Sequence, residues 1–288
     1  MLDIVKDTFI DAVIDSVKIL PFLFITYLIM EYIEHKMSKK SKDTIKKSGK
    51  WGPLLGSIVG IIPQCGFSVS ATNLYATRVI SLGTLIAVYL STSDEMIPIF
   101  ISESVPIIIL VKILLIKFFI GILFGFLIDF VLRKRNKSQE EQKIEDLCEH
   151  DHCHCDEKGI LKSAIKHTVN ILIYILIITF LINIIVESIG EDNFAKFVGN
   201  HAILGPAISS LIGLIPNCAA SVIITNLYLQ NIISGASLIA GLLTGAGVGL
   251  IVLFKTNKSI KENLIIVGLI YGVGVFSGVI FQLVGLSL

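Results

Sequence analysis

Long apolar segments are the feature of this sequence that most restricts its fold. Residues 105–132 form a segment longer than the roughly 20 mostly apolar residues that a membrane-spanning helix needs. Because lipid offers the backbone no hydrogen-bond partners, a chain of this kind spans the bilayer as helices. We therefore expect an all-α, polytopic integral membrane protein. Similar segments lie at 16–33, 165–186 and 264–286, and two interrupted ones lie at 51–101 and 204–254.

Composition excludes several other classes of protein. Of the 288 residues, 53% are hydrophobic and 16% are charged, whereas a soluble domain has about 25% charged residues. This excludes a disordered chain, a secreted disulfide-rich domain and an ordinary soluble enzyme. Residues 1–15 are acidic and amphipathic, the reverse of the basic start of a signal peptide. We expect the first apolar segment to be retained as a membrane helix.

The second half of the chain repeats the first. When the sequence is shifted by 153 residues, the halves align without a gap. Polar residues match at positions where apolar composition alone would not align them. We expect a first membrane repeat at 1–132, a cytoplasmic linker at 133–162 and a second membrane repeat at 163–288. The clearest matches are Gly60 with Gly213, Pro63 with Pro216, Cys65 with Cys218, Ser68 with Ser221, Thr72 with Thr225 and Tyr75 with Tyr228.

The distribution of basic residues predicts that the repeats are inverted relative to each other. Basic residues favour the cytoplasmic side near membrane ends. Lysines are concentrated at 36–50 and basic residues begin the linker, so both are expected in the cytoplasm. Equivalent loops differ in charge, because 255–261 has three lysines and its partner 102–104 has none. Such inverted repeats are typical of secondary transporters, and here they would place both termini outside.

The inverted arrangement also restricts the number of crossings. Between residue 50, inside, and residue 103, outside, the chain must cross an odd number of times. Three short passes, or one pass plus a re-entrant hairpin, both meet this condition, and the interrupted sequence permits either. We expect about ten helices in two inverted-topology repeats, including broken or re-entrant half-helices.

Two equivalent breaks carry the candidate substrate site. Pro63 and Pro216 precede stretches that can be helical, 64–77 and 217–230. Each break then places a cysteine at a helix start, where the dipole stabilises an anion such as a thiolate. The alternative is that the cysteines are small apolar fillers and that the hydroxyls bond their own helices. The substrate-binding candidates are Gln64, Cys65, Ser68, Thr72, Asn217, Cys218, Ser221 and Thr225.

An acidic pair interrupts the first repeat. Asp94 and Glu95 lie within an apolar segment, whereas the second repeat has Gly and Val at the equivalent positions. Because ionisable residues inside a membrane usually serve function, we expect this pair to bind a cation or relay protons and so to couple transport. The alternative is a position near the outer interface. Lys112 and Lys117 either neutralise these acids or extend to the interface, and the sequence permits both.

The linker contains a dense group of metal ligands. Three thiols and three imidazoles lie within eight residues, and this set suits Zn²⁺, Cu(I) or a thiophilic metalloid far better than Mg²⁺ or Ca²⁺. The spacing is not that of a zinc finger, so we expect weak or dynamic binding. Such a loop can sense, buffer or deliver a metal. The predicted ligands are Cys148, His150, His152, Cys153, His154 and Cys155.

Several motifs resemble those of the ten-helix heavy-metal exporters, a family commonly labelled arsenic efflux proteins or manganese transporters. The resemblance covers nearly the whole chain. Its most specific marks are GIIPQCG at 60–66, TSDE at 92–95, HCHC at 152–155, HT at 167–168 and GLIPNC at 213–218. The resemblance implies membrane efflux of a toxic metal or metalloid, while the two labels differ in the substrate.

Three functions remain open from the sequence. The first is a secondary transporter of the plasma or inner membrane that exports a thiophilic metalloid or heavy metal, with Cys65 and Cys218 as ligands. The second is a transporter of Mn²⁺ or another divalent cation that uses oxygen ligands such as those of Asp94 and Glu95. The third is a membrane thiol oxidoreductase in which the two cysteines form a reversible disulfide, which requires Cα atoms within about 7 Å.

The energy source follows from what the sequence lacks. It contains no phosphate-binding loop of the Walker type, so we expect an ion or proton gradient to drive transport. For the transporter functions we expect no enzymatic activity and no required cofactor. The expected partners are the lipid bilayer and a metal or metalloid ion, not a nucleic acid.

Overall fold

The fold is entirely helical in the part of the chain that is described. A computed structural model describes residues 2–36, 51–62, 65–93, 96–133, 160–189 and 204–285, and no strand occurs in these ranges. This confirms the predicted all-α class. The first half contains α1 (Leu2–Lys36), α2 (Gly52–Ile61), α3 (Cys65–Ala76), α4 (Leu82–Ser91), α5 (Met96–Ser102) and α6 (Ile107–Arg133). The second half contains α7 (Ile160–Ile189), α8 (Leu204–Gly213), α9 (Cys218–Leu229), α10 (Gly235–Thr244), α11 (Gly249–Thr256) and α12 (Ile260–Val284).

Five stretches of the described chain are long and apolar enough to cross a membrane. Two of them consist of a helix pair, α4 with α5 and α10 with α11, and they lie mostly inside the protein. The outer stretches are largely exposed, as expected of helices that face lipid: 22% of the α6 stretch is buried, against 89% of the α10–α11 stretch. The chain is therefore a multi-pass membrane protein. The five stretches are Leu82–Ser102, Ile107–Leu132, Ala164–Ile184, Gly235–Thr256 and Ile260–Val284.

Helix α1 is longer than the sequence predicts. The expected helix begins at residue 16, whereas α1 begins at Leu2 and has 35 residues. At 1.5 Å per residue this is about 52 Å, well beyond the roughly 30 Å of a bilayer core. The helix extends because one face of the amphipathic start continues the buried face of the apolar part. The buried positions along this face are Thr8, Ala12, Ser16, Ile19, Leu23 and Tyr27.

Helices α2 and α3 form a hairpin that returns to the side on which it starts. Gly52 lies against Thr84 near the start of α4, and Gly60 lies against Ser91 at its end. Helices α2 and α4 therefore run in parallel, so α3, which connects them, runs in the opposite direction. With 10 and 12 residues, α2 and α3 are only about 15 and 18 Å long, too short to cross alone. Of the two paths that the sequence permits, these helix lengths and directions fit one pass plus a re-entrant hairpin.

The two halves contain equivalent helices. Helices α3 to α6 begin at positions that precede the starts of α9 to α12 by the offset that separates Cys65 from Cys218, 153 residues. The equivalence extends to hydrogen bonds. Ser81 caps α4 and donates to Asp129 at 2.6 Å, and Ser234 caps α10 and donates to Gln282 at 2.9 Å.

The two halves contact each other through equivalent pairs of helices. Helix α3 packs against α11, and α9 packs against α5. The Thr72 hydroxyl oxygen lies 3.3 Å from the carbonyl oxygen of Gly249, at the start of α11. Beyond the other end of α3, both terminal nitrogens of Arg78 donate to Glu262 in the first turn of α12, at 2.7 and 2.8 Å. Helix α11 and the start of α12 therefore lie along α3 and run in the same direction as α3.

Candidate functional site

The two predicted breaks end where two 12-residue helices begin. Helix α3 starts at Cys65 and helix α9 starts at Cys218. The expected helices, 64–77 and 217–230, differ from the observed ones by one residue at each end. Gln64, a predicted substrate ligand, lies outside the described residues, as does Pro63.

Asn217 fixes the start of α9. Its backbone is extended, and its side-chain oxygen accepts a hydrogen bond from the N–H of Ala220 at 3.2 Å. Its amide nitrogen donates to Asn183 on α7 at 2.9 Å. The side chain thus caps one helix and ties it to another, and this satisfies one donor of the helix start.

The cysteines at the two helix starts face each other. The Sγ atoms of Cys65 and Cys218 lie 3.1 Å apart, and both residues are partly buried. Each thiol belongs to the first residue of a helix, so the positive ends of two helix dipoles point to the same place. Two sulfur atoms from different halves of the chain therefore share one electropositive position, which favours thiolates and bound anions.

The predicted hydroxyl ligands bond mainly to their own helices. Ser68 and Ser221 each donate to the carbonyl of the cysteine three residues before them, at 2.8 Å in both cases. Thr72 and Thr225 donate to the carbonyls of these serines at 2.7 and 2.6 Å. These hydroxyl protons are engaged within their own helices, and Ser221 is also one of the residues that line a cavity.

A small cavity lies at the meeting point of the helix breaks. The chain between α4 and α5, the chain between α10 and α11, and the start of α9 all contribute to its wall. Its volume is about 10 Å³, enough for one water molecule or one small ion. The lining residues are Thr92, Ser93, Met96, Asn217, Cys218, Ser221, Leu242, Gly245 and Gly247. Of the predicted substrate ligands, Asn217, Cys218 and Ser221 line this cavity.

Two residues near the cavity are not among the predicted ligands. Met96 begins α5, is fully buried and lines the cavity, so it adds a third sulfur to this region. Its only signal in the sequence is its place after the acidic pair. Lys117 is fully buried, and its Nζ donates to the carbonyl of Thr92 and, at 2.8 Å, to that of Leu242. Lys112 is exposed, so the two lysines of α6 have different environments.

The remaining predicted residues lie outside the part of the chain that is described. These include Asp94 and Glu95, although their described neighbours Ser93 and Met96 both line the cavity. All six linker ligands also lie outside it. Within the described ranges, no three His, Cys, Asp or Glu side chains are grouped closely enough to hold a metal ion.

Comparison with known proteins matches the chain to a protein family. The ArsP_2 family model, described as "Putative, 10TM heavy-metal exporter", matches residues 3–198. No curated protein and no solved structure matches the chain. The matched region runs from α1 across the linker and α7, so it includes Cys65 and the first break.

Proposed function

The chain belongs to the family of ten-helix heavy-metal exporters, and from this premise we propose that it is a secondary transporter that exports a thiophilic metalloid, trivalent arsenic first. The observation that carries the proposal is the 3.1 Å separation of the Cys65 and Cys218 sulfurs. With metal–sulfur bonds of about 2.3 Å, as for zinc, one atom can bridge sulfurs up to about 4.6 Å apart. The observed pair lies within this limit.

The chemistry of arsenite suits a buried thiol pair. At neutral pH, trivalent arsenic is the uncharged As(OH)₃. When it reacts with two thiols, two As–O and two S–H bonds break, two As–S bonds form, and two water molecules leave. No net charge enters the membrane interior, whereas a divalent cation would bring its full charge unless protons left. The helix starts would support the thiolate character that each sulfur needs for attack.

An inverted arrangement of the repeats would allow access to this pair from both sides. Support comes from α11, which packs along α3 in the same direction. Because α3 runs opposite to α4, α11 also runs opposite to α4. Helices α10 and α11 form one stretch, as α4 and α5 do, so we infer that the two stretches run in opposite directions. In transporters, such repeats exchange access to a site at their interface by rocking against each other.

The proposed orientation places the linker in the cytoplasm. The last turns of α6 lie at the same end of the bundle as the start of α4, since Gly83 contacts Asp129. The start of α2 and the Arg78–Glu262 pair also lie at this end. The lysines of 36–50 precede α2 in the sequence, and those of 255–261 lie where α11 ends and α12 begins, so a cytoplasmic position for this end agrees with the preference of basic residues for that side. Both termini would then lie outside, and the Cys and His residues of the linker would meet metal from the cytoplasm.

The test of the function is the metal content of cells with and without the gene. Cells are challenged separately with arsenite, Mn²⁺ and Zn²⁺, and their arsenic and metals are measured by mass spectrometry. We expect cells that carry the gene to retain less arsenic and to grow at higher arsenite, with Mn²⁺ unchanged. Lower Mn²⁺ with unchanged arsenic would contradict arsenic export.

A Mn²⁺ transporter is the second candidate, because Thr92, Ser93 and Ser221, three residues with hydroxyl groups, are among those that line the cavity. A divalent cation there would lie near the buried ammonium group of Lys117, and this opposes its binding unless carboxylates compensate for the charge, the role that this candidate gives to Asp94 and Glu95. Under this alternative, Asp94→Asn abolishes Mn²⁺ export while Cys65→Ser has no effect.

A thiol oxidoreductase is the third candidate, since the same sulfur contact would permit a disulfide. Such an enzyme must pass two electrons to a quinone or to a partner disulfide, and the sequence offers no motif for either. Mass spectrometry of the protein alkylated under non-reducing conditions would decide. A pair that is oxidised in living cells favours this candidate over transport.

A further inference from the structure

Lys117 is fully buried within α6, one of the apolar helices that are long enough to span a membrane. Its ammonium group donates to one backbone carbonyl from each half of the chain, Thr92 and Leu242. A buried ammonium in a membrane is costly, so its partners matter more than they would at a surface.

Both carbonyls belong to helix ends. Thr92 is the C-cap of α4, and Leu242 lies in the last turn of α10. The last four carbonyls of a helix have no partner within the helix and carry the negative end of its dipole. The Ala246 N–H, which could have extended the helix to Leu242, bonds Thr244 instead. The two helix ends thus present carbonyl oxygens to one point.

The position of these oxygens is that of a cation site. In transporters with interrupted helices, unwound carbonyls and helix C-terminal ends coordinate the coupling Na⁺. Here α4 and α10 stop inside the protein, and α5 and α11 resume after the breaks. We propose that the ends of α4 and α10 form a monovalent-cation site and that the ammonium group of Lys117 fills it as a tethered cation.

The duplicated sequence argues that this charge is not required for packing. The position equivalent to Lys117 in the second half is Ile270, which is also fully buried. The fold therefore accepts an apolar side chain at this place in α12. In α6, Lys117 donates hydrogen bonds to two buried carbonyls. Without its ammonium group, these carbonyls would have no cation beside them.

The first test is cation-dependent stability of purified Lys117→Ala, with Lys112→Ala on the same helix as the matched control. Melting temperatures are measured in equal concentrations of NaCl, KCl, LiCl and choline chloride. We expect Lys117→Ala to gain about 3 °C or more in one of the small cations relative to choline, because a dissolved ion now occupies the vacated carbonyls. Wild type and Lys112→Ala should show no such difference. If Lys117→Ala responds as wild type does, the proposal is overturned.

The second test covers the case in which Lys117→Ala does not fold, and it rests on the proposed transport function. Lys117→Gln keeps a donor for the carbonyls without charge, and Lys117→Arg keeps the charge. In arsenite uptake by inside-out vesicles, we expect Lys117→Arg to retain transport and Lys117→Gln to lose it while remaining folded. Wild-type activity of Lys117→Gln overturns this inference alone, whereas absence of uptake by wild type overturns the proposed function instead.

Discussion

Replacing Cys65 and Cys218 together with Ser is expected to abolish arsenite resistance while the protein remains folded. Each sulfur contributes one bond to the bound arsenic, so either single change should already remove most of the resistance. A serine hydroxyl has nearly the same size and keeps a polar contact across the 3.1 Å gap. We therefore expect little loss of folded protein, which is measured by size-exclusion chromatography of a fluorescent fusion.

A direct measurement uses phenylarsine oxide, which bridges two neighbouring thiols. The chain has five cysteines, and changing Cys148, Cys153 and Cys155 to Ser leaves only the pair in the membrane repeats. In this background we expect phenylarsine oxide to protect both remaining thiols from a maleimide. Removal of either one should weaken binding by about 100-fold, or about 2.7 kcal/mol.

The linker variant is also the control for the role of the linker. If the Cys and His loop only senses or delivers metal, the triple change lowers resistance without affecting the protection by phenylarsine oxide. Full arsenite resistance in the double variant of the membrane pair would exclude thiol ligation. If the Cys65 and Cys218 variant keeps its resistance while the linker variant loses it, the substrate site lies in the linker.

The sequence predicts which residues are equivalent but not which of them meet. The repeat makes Cys65 and Cys218 counterparts, as it does Thr72 and Thr225. Equivalent residues need not be neighbours in the fold, but the sulfur atoms of the two cysteines lie 3.1 Å apart. Thr72 instead meets Tyr89 and Gly249, because it lies two turns further along its helix. This difference depends on the packing of α3 against α11, for which the sequence pattern has no signal.

The same limit applies to the two lysines of α6 and to the length of α1. Lys112 and Lys117 lie in one apolar stretch, and nothing in its pattern states which side faces the ends of α4 and α10. Their different burial is set by the rotation of α6 about its axis. For α1, the apolar window begins at residue 16, whereas the buried face continues to Thr8 because α7 covers it.

Replacing Gly274 with Leu is expected to prevent the second half from folding, whereas replacing Gly272, two residues earlier in α12, should have little effect. A Cβ atom at Gly274 would lie 3.0 Å from the backbone oxygen of Ala240 and 3.0 Å from the Ser210 hydroxyl. The Ala240 oxygen belongs to a buried helix and cannot move aside without displacing α10. A Cβ atom at Gly272 would have nothing within 4 Å.

If these two glycines are replaced with alanine instead of leucine, the expected changes in stability have opposite signs. At position 272 the change should be neutral or raise stability by up to about 1 kcal/mol, because Ala favours helix over Gly. At position 274 the overlap should lower stability by about 1–3 kcal/mol. Melting temperatures of the purified variants measure both, and equal values would contradict the packing of α12 on α10.

The duplicated structure extends this prediction to the first half. Gly121 precedes Gly274 by the repeat offset, and its Cβ would lie 2.8 Å from the Ser57 hydroxyl and 3.0 Å from the Ala87 oxygen. These are the counterparts of the Ser210 and Ala240 contacts. Gly121→Leu should therefore be as damaging as Gly274→Leu. A variant of Gly121 that folds normally would show that equivalent residues do not imply equivalent packing, and it would weaken the argument that the two halves close on a common site.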